Sequence, residues 1–228
     1  MANMTGLIAG RDAILKQDEY QKGVVYISEQ SHSSNRKGIR LIGFRDDQIV
    51  MVPTDEEFKI KVDVLEDYIK RDIADGKIPA IIIGNLGSTN TGEIDDFDKL
   101  GALAKKYNIW LHADGAYGGS ILLSDRYRHM AAGIENVDSL SWDMHKWLMQ
   151  CYSCSAVIVK NGKYMFDAFN AHHEYLDDAT IVGYHDPWDM GPEMSRPHRV
   201  IQFWITLQAV GLKEIKKSID TTCEFVEL

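Results

Sequence analysis

The sequence predicts an α/β fold, a mostly parallel sheet with helices on both faces. Three observations carry that expectation. Apolar runs of strand length recur along the chain, amphipathic helical patterns lie between them, and several runs end in clusters of Gly, Ser, His and Asp. Alternation of strand and helix favours parallel strands joined by crossover helices.

The elements follow in chain order. A helical pattern covers 3–16. Val24, Val25, Tyr26 and Ile27 are β-branched or aromatic and predict the first strand, 24–28. Arg40-Leu-Ile-Gly-Phe44 predicts a strand over 40–44. Val62, Leu65, Ile69 and Ile73 share one face of a helix placed at 63–74. Ala80-Ile-Ile-Ile83 starts a strand over 80–85, and its unbroken apolar character suits a strand covered on both sides. Asp95 or Asp96 caps a helix in which Phe97, Leu100, Leu103, Ala104 and Tyr107 recur at helical spacing. Further strands are expected at 109–113, 139–142 and 155–159, and a helix over 199–210 ends near Gly211.

Composition narrows the function. The 228 residues are 45% hydrophobic and 26% charged, a globular mixture. Twenty-five basic residues against 34 acidic ones leave a net charge of −9, which disfavours non-specific binding to nucleic acid or anionic membranes. The run Ala80 to Ile83 is far too short to span a bilayer. Met1 to Arg11 show no charged leader before an apolar core, so no secretory signal is expected. Three cysteines make no disulfide framework, and a reducing cytoplasm is the expected compartment. Cys151 and Cys154 have redox or zinc spacing but read better as cysteines buried beside a strand. Membrane, secreted and chromatin roles are thereby excluded.

The strand ends carry the chemistry. Four are loaded: Ser28 to Ser34, Asn85 to Gly92, His112 to Gly119 and Trp142 to Trp147. An Asp at the end of a buried strand needs a cation, a metal or a hydrogen-bond donor. A Lys between His145 and Trp147 is placed for partial desolvation, which makes an amine nucleophilic. Ser, Thr and Gly in strand–helix turns offer hydroxyls and amides to an anion. Pyridoxal 5'-phosphate has an aldehyde that wants a Lys, a ring nitrogen that wants an Asp, and a phosphate that wants hydroxyls and amides. Taken singly, Asp114 reads as a cap or metal ligand, Lys146 as a surface lysine and His32 as a loop histidine; their order together singles out the cofactor.

Four segments resemble the group II pyridoxal-phosphate-dependent amino-acid decarboxylases: Ser31-His-Ser-Ser34, Leu86-Gly-Ser-Thr-Asn-Thr-Gly92, Trp110-Leu-His-Ala-Asp-Gly-Ala-Tyr-Gly-Gly119 and Asp143-Met-His-Lys-Trp147. The resemblance runs over essentially the whole chain. It implies that Lys146 holds the cofactor as an internal aldimine, that Asp114 pairs with the ring nitrogen, and that His32 stacks on one ring face with Ala116 on the other. Thr89 would lie near the ring and Asp114, and Asp143 and His145 near the phosphate. His172-His-Glu-Tyr175 aligns with the family's mobile catalytic loop, where Tyr175 would protonate the substrate carbon across a dimer interface. Arg199 matches a family arginine near the end of the large domain.

The implied activity is decarboxylation of an L-amino acid to an amine and CO2 by a cytoplasmic homodimer. The implied organisation is a fold-type-I large domain over 1–210, lacking its N-terminal part, and the start of a C-terminal domain over 211–228. Family members extend beyond both ends of this chain, and the Ser/Thr–Gly loop that cups the phosphate is expected before residue 1. Two alternatives stand beside this reading: a catalytically silent fragment acting as an interaction partner, and another lyase or aminotransferase reaction on the same cofactor. Phe in place of Tyr175 would imply diversion toward oxidation or deamination.

Overall fold

The computed structural model describes residues 1–170 and 186–226. Its centre is one sheet in the order β2-β1-β3-β4-β5-β6. The strands are β1 (Gly23–Ser28), β2 (Ile49–Val52), β3 (Ile78–Asn85), β4 (Trp110–Asp114), β5 (Ser139–Asp143) and β6 (Ser155–Val159). All neighbours pair parallel except β6, which runs antiparallel to β5. The described helices are α1 (Ala2–Ile14), α2 (Ser33–Leu41), α3 (Val62–Ala74), α4 (Phe97–Tyr107), α5 (Lys163–Phe169), α6 (Val200–Val210) and α7 (Leu212–Glu224).

The central strands β1, β3 and β4 are buried on both faces. Val24, Tyr26, Ile82, Leu111 and Ala113 pack against Leu65 and Ile69 of α3 and Leu100 of α4. Val25, Ile27, Ile81, Ile83 and Trp110 face the other way, against Leu7 and Ala9 of α1 and Ile39 of α2. Alternate residues of one strand therefore feed two cores, which is why these strands read as unbroken apolar runs. Helix α1 lies so close to β4 that a Cβ on Gly10 would sit 2.6 Å from the Trp110 indole. Asp96 caps α4 by accepting from Lys99 N at 2.9 Å. Asp95 instead turns inward and accepts from Ile60 N at 2.7 Å and Asn85 N at 2.6 Å.

One strand expectation needs correction. The segment expected as a strand over 40–44 is the end of α2 and the turn after it, with Gly43 at φ 102°. The buried positions Asn35, Gly38, Ile39 and Ile42 recur at helical spacing, and His32 caps the helix through Ser34 N. The edge strand is β2 instead, paired with β1 through Val25–Ile49 to Ser28–Val52. No helix among the described residues is long and apolar enough to cross a membrane.

Candidate cofactor site

Parallel pairing puts the carboxyl ends of β1, β3, β4 and β5 along one edge of the sheet. Ligands of open α/β sheets bind beyond that edge. Asp114 is the last residue of β4 and is buried. Its Oδ2 accepts from Asn35 Nδ2 at 2.6 Å, and its Oδ1 accepts from Ala116 N at 3.2 Å and Ser141 Oγ at 3.3 Å. A carboxylate offers roughly four acceptor positions. Three donors therefore satisfy much of the buried group and leave capacity for one more.

His112 lies two residues earlier on the same face of β4 and is fully buried. Its Nε2 is 2.9 Å from Asn3 Oδ1 and its Nδ1 is 2.7 Å from Ser139 Oγ. Asn3 Oδ1 can only accept, so Nε2 carries the ring hydrogen and Nδ1 accepts from the Ser139 hydroxyl, whose oxygen also accepts from Trp110 Nε1 at 2.8 Å. The Nε2 hydrogen is then the one donated to Asn3. Burial drives the imidazole pKa from 6.5 down to about 4, against a weaker opposing pull from Asp114. The ring is neutral at neutral pH.

Strand β5 ends at Asp143, and the turn after it presents Lys146. Lys146 Nζ lies 3.0 Å from Asp143 Oδ2, with the lysine side chain 38% exposed and the aspartate 15%. The amine is thus tethered yet open to a ligand. His145 Nδ1 sits against the Cys154 backbone, 2.8 Å from its oxygen and 3.1 Å from its nitrogen, and Nε2 is 3.8 Å from Asp143 Oδ2. The Tyr117 and Trp147 rings stack at 5.0 Å with an interplanar angle of 4°. Trp147 Nε1 is buried without a hydrogen-bond partner among the described residues.

The strand ends are tied together by backbone. Asp143 N donates to Ala116 O at 3.1 Å, and Leu86 N to Asp114 O at 3.0 Å. A Cβ on Gly118 would collide with the Leu86 carbonyl, so the turn after β4 closes onto β3 only because that position is glycine. Asn85 Nδ2 donates to Ser28 Oγ at 2.9 Å, joining β3 to β1.

Of the residues expected from sequence, Asp114, Ala116, Asp143, His145 and Lys146 are brought together on adjoining strand ends. His32 is exposed at the start of α2, its Nδ1 2.7 Å from Ser34 Oγ. Thr89 is exposed in the loop after β3. Tyr175, with His172 and His173, lies outside the described residues. Sequence reasoning missed Asn35 and Ser141 and gave His112 no role. Neither Asn35 nor Ser141 carries a local signal, since both reach Asp114 through tertiary contacts.

The residues present fit pyridoxal phosphate. Lys146 offers a reachable amine for the aldehyde, Asp114 has acceptor capacity left for a ring N–H, and Trp147 Nε1 is a buried donor without a partner among the described residues.

Comparison with known proteins agrees with this chemistry. The family model described as pyridoxal-dependent decarboxylase conserved domain matches residues 2–228. An aromatic-L-amino-acid decarboxylase of Bacillus atrophaeus is 36% identical over 96% of this chain and 46% of its own length. The crystal structure of Oryza sativa TDC with PLP and tryptamine superimposes with a TM-score of 0.88 at 27% identity, covering 95% of this chain and 46% of that one. The Rhodiola rosea 4-hydroxyphenylacetaldehyde synthase structure gives 0.86 at 30% identity, covering 96% and 46%. The chain thus spans about half the length of the relatives it matches.

Proposed function

The chain belongs to the pyridoxal-dependent decarboxylase family, and on that premise we propose that it carries the cofactor-holding centre of an L-amino-acid decarboxylase. The observation that carries the reading is the juxtaposition of buried Asp114 and reachable Lys146 on neighbouring strand ends, tied by the Asp143 N to Ala116 O hydrogen bond of 3.1 Å.

Bound there, pyridoxal phosphate supplies a ring that accepts the electrons released when the α-carboxylate departs as CO2. Lys146 would hold the cofactor's aldehyde carbon through Nζ, and Asp143 orients that amine from 3.0 Å. Asp114 would accept from the ring nitrogen with its remaining lone pair, held in plane by Ala116 N, Ser141 Oγ and Asn35 Nδ2. His32 and Ala116 would flank the ring, with Thr89 near its edge and His145 and Asp143 toward the phosphate. The stacked Tyr117 and Trp147 rings lie on the turns after β4 and β5, next in sequence to Ala116 and Lys146. Tyr175 would deliver a proton to the substrate carbon. A homodimer in the cytoplasm is the assembly and compartment proposed with this reading.

The test is release of CO2 and amine from a panel of aromatic, acidic and basic L-amino acids. Amine formation by the native chain that disappears in Lys146→Ala supports the reading. Equal product from both proteins overturns it.

A further inference from the structure

We propose that Asn35 is a positioning residue that fixes the orientation of the Asp114 carboxylate toward the cofactor ring; the proposal rests on the function given above. Asn35 is fully buried, and its Nδ2 reaches Asp114 Oδ2 at 2.6 Å, a contact between positions 79 apart in the chain. Its Oδ1 is buried and has no hydrogen-bond partner among the described residues. An apolar residue of the same shape would fill this space without stranding an acceptor, so core filling does not account for an asparagine here. The unmet oxygen is tolerated for the sake of the single bond that the amide donates. Reversing the amide would set its oxygen against a carboxylate oxygen, which fixes the assignment of the two ends.

The geometry gives that bond a purpose. Rotation about the terminal torsion of an aspartate is soft and broad, so hydrogen bonds must set the carboxylate plane. Ala116 N and Ser141 Oγ both hold Oδ1. Among the described residues Asn35 alone holds Oδ2. Without it the carboxylate is pinned at one oxygen and free to pivot, and the lone pair intended for a ring N–H wanders. Because Asn35 sits one turn into the helix that begins at His32, one rigid element sets both the carboxylate and the residue expected over the ring face.

The test measures pyridoxal phosphate affinity by absorbance titration and thermal stability of the cofactor-free protein, for native chain, Asn35→Leu and Asn35→Asp. Asn35→Leu keeps the branching and the number of heavy atoms and removes the donor. A hydrogen bond to a charged group of ordinary strength corresponds to about a tenfold to hundredfold loss of affinity. The expected result is a loss of that order in Asn35→Leu with melting temperature unchanged or raised, because the stranded oxygen is gone. Asn35→Asp is expected to bind more weakly still at neutral pH and to recover as pH falls, since it sets two carboxyls against each other. Should Asn35→Leu not fold, Asn35→Ser, which is too short to span the contact, takes its place with the same expected loss. Native-like affinity in the variants, or a fall in melting temperature with no change in affinity, overturns the positioning role. A native chain that binds no cofactor overturns the functional reading itself, and the two failures are thereby distinguished.

Discussion

Replacing His112 with Asn is expected to flatten the acid side of the stability profile. The histidine is fully buried, and its folded pKa is about 4 against 6.5 in the open chain. Between those values the unfolded state binds a proton that the folded state refuses. Stability therefore rises with pH through this window: the contribution is fully present above 6.5 and is lost as pH falls toward 4. The difference corresponds to about 3 kcal/mol. Its structural cause is burial of the ring in β4, which outweighs the opposing pull of the Asp114 carboxylate. Urea unfolding at pH 7.5 and at pH 4.5, for native and His112→Asn proteins, measures it. The variant is weaker at neutral pH because it loses the Asn3 and Ser139 contacts, but its stability falls less between the two pH values. Asp95 and Asp138, whose carboxyls are raised by burial, titrate in both proteins and cancel in the comparison. Superimposable pH profiles for the two proteins refute the neutral buried ring.

Gly118→Ala is expected to cost about 1–3 kcal/mol, read as a lower melting temperature, because the new methyl meets the rigid Leu86 backbone. Tyr26 donates to Asp72 at 3.0 Å in the core, with Lys77 3.1 Å from the same carboxyl group. Asp72→Ala should destabilise by about 1–3 kcal/mol in urea, and a cycle with Tyr26→Phe should show coupling between the two. Tyr175→Phe should leave cofactor binding intact and lower amine formation; unchanged amine output counts against its proposed proton delivery.

Strands whose residues face two cores were legible in the sequence. Ile81 and Ile82 point to opposite helical layers, so β3 cannot hide its character, and β1 and β4 behave alike. Strand β2 was not legible, because Ile49, Val50 and Met51 lie half exposed at the sheet edge after a polar turn. Helix α2 escaped for a similar reason: Ser33, Ser34, Arg36, Lys37 and Arg40 face solvent, while Ile42 and Phe44 on either side of Gly43 alternate like a strand. Helix α7 buries Ile215 and Ile219 beside Met144 and Leu148. The site divides in the same way. Asp114, Asp143, His145 and Lys146 belong to dense local motifs in which neighbours in sequence are neighbours in space. Asn35 and Ser141 act on Asp114 through tertiary contacts that no local spacing records.

The central claim is that Lys146 and Asp114 together form a cofactor site. An absorbance titration with pyridoxal phosphate, run on the native chain, Lys146→Ala and Asp114→Ala, tests it most directly. The native protein is expected to show a visible band that is absent in Lys146→Ala and weakened or shifted in Asp114→Ala. A band of equal strength and position in all three proteins, or none in any, would contradict it.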